Sequence, residues 1–157
     1  MRSSSIHEIK QELSTLKAGE VTALCLQLAR FKKENKELLS YLLFEAQDEQ
    51  NYLKNLKQEI KELFDEINLS HLYFAKKTLR KILRVINKHS RYSGNKQTDM
   101  ELRIFFCQQL KISGIPFRQN AVLSNIFDGQ LKKIDAALAG LHEDLQHDYN
   151  KEIAALR

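Results

Sequence analysis

The chain of 157 residues is 43% hydrophobic and 29% charged, with one Pro, five Gly and no Trp; it is long enough to bury a core without metal or disulfide staples, too apolar for disorder and too poor in breakers for an all-β fold. No apolar run approaches the roughly 20 residues of a membrane span and the N-terminus lacks the apolar stretch of a signal peptide, so a cytoplasmic protein is expected. The net charge of +5 arises in one place: residues 1–66 hold ten basic and twelve acidic side chains, residues 67–98 eight basic and none acidic, and residues 99–157 seven basic and eight acidic.

Helical periodicity runs through nearly the whole chain. Ser5 followed by Glu8 forms a capping box, in which each side chain satisfies a free amide of the first turn. It opens a short helix with Ile6, Ile9, Leu13 and Leu16 on one side, ending near Gly19. A second helix over 20–32 carries Val21, Leu24, Cys25, Leu28 and Phe31. From 35 to 67 the positions Leu42, Ala46, Leu53, Leu56, Ile60, Leu63 and Ile67 alternate three and four apart. Unbroken, that run would be about 50 Å long; the polar "AQDEQN" at 46–51 is where it would divide.

A basic helix over 70–92 follows, with Ser70 as its N-cap and "SGN" at 93–95 as its turn. Thr98 and Glu101 form a second capping box before "MELRIFFCQQLKI". That segment is apolar on more than one side, as expected of a helix in the middle of a bundle. Gly114 and Pro116 stop it. Phe127, Leu131, Ile134, Leu138, Leu141, Leu145 and Tyr149 then repeat the long-helix spacing, with a break predicted near "AGLHED". Cys25 and Cys107 sit in apolar-periodic segments and read as buried thiols without a disulfide.

The fold class is all-α: six to eight antiparallel helices in a single domain over 1–157. Two packings fit, a closed helical bundle or an αα-hairpin (HEAT-like) stack, although no pattern recurs at a fixed period.

The basic helix carries the chemical signal. At 100° per residue, Leu72, Ala75, Leu79, Ile82, Leu83 and Ile86 share an arc roughly 100° wide. Lys76, Lys77, Arg80, Lys81, Arg84, Lys88 and Arg91 share another, nearly opposite, with Tyr73 inside it and Phe74 and Tyr92 at its edge. Four like-charge pairs at i,i+4 each cost a few tenths of a kcal/mol, so something should offset them. Two explanations compete. Glu59, Glu62, Asp65 and Glu66 of the preceding helix could lie along the face, or the face could meet phosphates of RNA or DNA without reading bases. A membrane-surface helix is disfavoured, because the apolar arc is needed for the core.

No catalytic or metal constellation holds together. In "HEDLQH" the two histidines are five apart, about 140° around a helix, and cannot share one metal as H-E-x-x-H requires. Asp144, His147 and Asp148 share a face, but a solvated face is the simpler reading. No Gly-rich phosphate loop, nucleophile elbow or CxxC is present. The expectation is therefore no metal, no cofactor and no enzyme. It is a helical interaction or scaffold protein with a protein partner or self-association, and alternatively a nucleic-acid backbone binder through the seven cations.

Overall fold

Capping side chains decide where most helices of this chain begin. In the computed structural model, which describes residues 2–157, Ser5 and Glu8 form the predicted box: the Glu8 carboxylate accepts from the Ser5 amide at 2.7 Å and Ser5 Oγ from the Glu8 amide at 3.3 Å. They open α1 (Ile6–Thr15). α2 (Ala18–Phe31) starts two residues earlier than predicted, its Glu20 carboxylate accepting from the Lys17 amide at 2.8 Å. Extended Lys32 links it to α3 (Lys33–Ser40), and Asn35 Nδ2 donates to the Leu28 carbonyl at 2.9 Å, tying the two helices. A π turn, Tyr41–Glu45, follows.

The chain folds as two compact units, 1–44 and 45–157. In the first, α1, α2 and α3 contain no buried residue, and α2 packs on α3. Cys25 is exposed, contrary to the expectation, because the packing of α2 on α3 leaves it lining an open groove.

The second unit begins where "AQDEQN" divides the long run. Asp48 accepts from the Asn51 amide at 3.1 Å and caps α4 (Glu49–Asp65). α5 (Leu72–Ser93) starts after His71 rather than Ser70, whose hydroxyl is turned to Asn68 instead. Gly94, at φ +64°, closes α5 in the left-handed conformation that glycine adopts without strain. Asn95 Oδ1 then accepts from the Gln97 and Thr98 amides at 2.9 and 3.3 Å and opens α6 (Lys96–Ile112). The predicted Thr98–Glu101 box is therefore displaced by an N-cap three residues earlier, as the stronger preference of Asn for that position explains. Thr98 Oγ1 donates instead to Glu49 at 2.6 Å. After a 3₁₀ turn at Phe117–Gln119 come α7 (Ala121–Ala139) and α8 (Glu143–Ala154), separated at the predicted break.

The fold is all-α, with eight α-helices and no strand among the described residues, and the helices of the second unit pack as a bundle. In the second unit α6 packs against α4, α5 and α7. Met100, Leu102, Phe106, Cys107 and Leu110 of α6 are fully buried, together with Leu79, Ile82 and Ile86 of α5. The central place given to "LRIFFCQQL" thus holds. Of the two long runs, Leu53, Leu56, Ile60, Ile67, Phe127 and Ile134 are buried. Leu42 and Ala46 are exposed, and Leu131, Leu138, Leu141, Leu145 and Tyr149 only half-buried. Cys107 is a buried thiol, its pKa pushed up to about 12 mainly by loss of solvent.

Candidate functional site

Twenty-two residues in one unbroken helix, about six turns of α5, hold the basic face rigid against the core. Ala75, Leu79, Ile82 and Ile86 are buried on one side. Lys77, Arg80, Lys81, Arg84 and Arg91 are exposed, and Lys76 and Lys88 are half-buried. All seven predicted cations therefore share one helix. The aromatic flank is narrower than predicted. Tyr73 is 71% exposed and meets Phe74 edge-on at 5.4 Å, but Tyr92 is buried against His89.

The internal explanation for the charge is not realised. Among the described residues, Lys76, Lys77, Arg80, Lys81, Arg84 and Arg91 make no ion pair. Glu59, Glu62, Asp65 and Glu66 all lie exposed on or just beyond α4, and none is ion-paired to the basic face. Glu62 accepts from its own neighbour Gln58 at 2.9 Å. The reason lies in helix geometry: α4 turns Leu56, Ile60 and Phe64 inward, which leaves its acids directed to solvent. The repulsion of Lys76–Arg80, Lys77–Lys81 and Arg80–Arg84 is thus uncompensated, at a few tenths of a kcal/mol per pair.

Charge is paired elsewhere, between other helices. Lys57 Nζ of α4 donates to Glu101 Oε2 at 2.8 Å, while Gln97 at 3.3 Å and the Tyr149 hydroxyl of α8 donate to Oε1. Burial raises the Glu101 pKa, but these donors and the Lys57 charge together outweigh it and hold the carboxyl below its ordinary value. Tyr149 is pushed up to about 12, by burial first and then by its bond to Glu101.

A second network surrounds Arg103, which is 5% exposed. Its Nε donates to Asp99 Oδ2 at 3.0 Å, Nη1 to Gln130 at 2.7 Å and Nη2 to Asn87 at 3.0 Å. Asp99 Oδ1 stands 2.7 Å from Nη2, an ion-pair contact whose angle is not that of a hydrogen bond. Arg103 joins α5, α6 and α7; its single position in a helical pattern carried no signal for this role.

The "HEDLQH" segment has a local task. His142 Nδ1 accepts from the Asp144 amide at 3.3 Å as the N-cap of α8. Among the described residues no three His, Cys, Asp or Glu side chains are grouped to hold a metal ion, and no helix is long and apolar enough to cross a membrane.

Sequence reasoning missed the exposed apolar surface of the first unit. Ile6 is 81%, Phe31 76% and Leu28 61% exposed. Between α2 and α3 Cys25, Leu28, Leu38 and Leu42 line an open groove of about 250 Å³. The stripes were visible as periodicity, but periodicity alone does not say what covers them. No protein-family model matches the chain, nor does any curated protein or solved structure.

Proposed function

We propose that this chain is a helical interaction protein, not an enzyme, which associates with a second copy of itself through residues 1–44. One observation carries the reading: three helices with no buried residue present Ile6, Leu28, Phe31 and their neighbours to solvent. Helices of ten, fourteen and eight residues are marginal alone, and exposed apolar surface on this scale marks an interface. A second copy is a fitting partner. The segment holds seven basic and five acidic side chains, so two copies are barely repelled. On this proposal the exposed Ile6–Ile9–Leu13–Leu16 stripe of one copy would lie on the apolar α2–α3 groove of the other, a reciprocal contact that would close a dimer. The exposed Cys25 thiol accords with a reducing compartment such as the cytoplasm.

Light scattering across a concentration series tests this. Mass should rise from one chain to two, and Leu13→Glu or Leu28→Glu should hold the protein monomeric. Cys25 supplies an independent reading, since a maleimide should label it more slowly as association proceeds, with Cys107 buried and inert. A monomer at every concentration, with a constant labelling rate, would sink the proposal.

A second reading is favoured by the six unpaired cations of α5: sequence-independent binding of RNA or DNA backbone by Lys76, Lys77, Arg80, Lys81, Arg84, Lys88 and Arg91, with Tyr73 and Phe74 able to stack on bases. About three to five phosphate contacts fit one helix face, each contributing a log–log salt slope of about −0.7 to −0.9, with micromolar affinity at best. Titration of fluorescent RNA and duplex DNA at low and high salt should show binding that Arg80→Glu with Arg84→Glu abolishes. Binding absent at low salt, or indifferent to the double reversal, would remove this reading.

A further inference from the structure

Where α5 ends and α6 begins, the chain makes a concave site that the basic face alone does not account for. A groove of about 550 Å³ opens between the C-terminal turns of α5, the first turns of α6, and α7. That volume lies within the range of small-molecule sites, about 300–1,000 Å³. Its wall carries Arg91, Lys96 and Lys133, one cation from each of the three helices. None of the three makes an ion pair among the described residues.

The groove's one carboxylate, Asp99, is already engaged by Arg103, so it does not cancel those charges. Arg103 in turn is held by hydrogen bonds to Asp99, Gln130 and Asn87 and serves as a fixed wall. Lys96 reaches toward the end of α7, where a Cβ on Gly140 would stand 3.1 Å from its Nζ. The rest of the lining is polar at Asn87, Ser90 and Asn95 and small at Gly94, Ala136 and Ala137, and the two alanines of α7 form an apolar ledge.

We propose that this groove binds an organic phosphate: a phosphoryl group held by Arg91, Lys96 and Lys133, with a flat apolar body laid on the Ala136–Ala137 ledge. Three cations lining one groove from separate helices suit a multiply charged anion better than a carboxylate, because each phosphoryl oxygen can take its own charged donor. The ledge accounts for the rest of the ligand, since an inorganic ion would leave it uncovered. The proposal is independent of the two readings above and shares only Arg91 with the second.

Nuclear magnetic resonance of the ¹⁵N-labelled full chain tests it, with inorganic pyrophosphate and adenosine diphosphate as separate probes. Both should shift the amides of Gly94, Asn95 and Lys96. Adenosine diphosphate should also shift Ala136 and Ala137 and bind more tightly. Lys96→Gln and Lys133→Gln, both at exposed positions, should each weaken binding about tenfold while leaving circular dichroism unchanged. Gly140→Ala, which crowds the Lys96 ammonium, should weaken it less. Arg80→Glu with Arg84→Glu, which abolishes backbone binding on the second reading, should leave these shifts in place. Absence of shifts with either probe, or shifts that survive both Gln variants, would overturn the site. Equal affinity for pyrophosphate and adenosine diphosphate would overturn its assignment to an organic ligand.

Discussion

Buried Arg103 and half-buried Glu101 show how much of the second unit's specificity rests on single polar residues. Arg103→Leu would leave buried Gln130 and half-buried Asp99 without their shared donor and release exposed Asn87 to water. Removing one partner of a buried pair costs about 3–5 kcal/mol, and about 3 is expected here because Asp99 keeps some contact with water. Urea denaturation of the variant checks this; a loss below 1 kcal/mol would mean that the network is ornamental. Glu101 gives a dependence on pH. Its folded-state pKa lies below the ordinary 4.5, so the stability it contributes is present above that value and lost as pH falls through the folded one. The melting temperature of the wild type should therefore exceed that of Glu101→Gln at pH 7, with the gap shrinking at pH 4 and below. A gap unaltered by acid would contradict the assignment. Neither role was legible in the sequence. Arg103 looked like one polar residue in an apolar helix, and Glu101 like half of a capping box.

At the level of elements, the pattern of the chain was informative where a helix is covered and uninformative where it is not. The basic helix, the division at 46–51 and four of the six residues of the apolar arc follow from spacing and charge alone; Leu72, in the first turn of α5, is exposed and Leu83 half-buried. Two N-caps slipped by one to three residues because several capping residues stood close together, and the choice among them is made by the turn that precedes. The unequal fates of Phe105 and Phe106 illustrate the finer limit. Both lie in the apolar run of α6, but Phe106 is fully buried, 5.5 Å from the ring of Phe64, whereas Phe105 is half-exposed beside Gln50 and Lys54. Phe106→Ala should cost about 3–5 kcal/mol and Phe105→Ala distinctly less. Equal losses in chemical denaturation would mean that α6 is rotated from the orientation described.

For the molecule as a whole, the unexplained charge of the sequence became a definite question once the facing acids proved to point elsewhere. Six cations of α5 have no ion-pair partner among the described residues, and the helices α1 to α3 bury none of their apolar stripes. On the readings proposed above, both are surfaces for a second molecule, and a single chain's periodicity does not say what covers an exposed stripe. The pairing of a cationic face with a fully buried one on the same helix also turns α5 into a gauge of cooperativity. Trypsin cuts after Lys and Arg, and α5 offers it the densest run of sites in the chain, yet a helix must leave the core before the protease can seat it. Cleavage should therefore begin at the thinly buried sites among Lys10, Lys17 and Lys36 and release a resistant fragment that retains α4 to α8. The α5 sites should be cut only at the pace of global unfolding, and more protein in the digest should protect the early sites if copies associate through them. If α5 is clipped as fast as residues 10–36, its apolar side is not anchored as described.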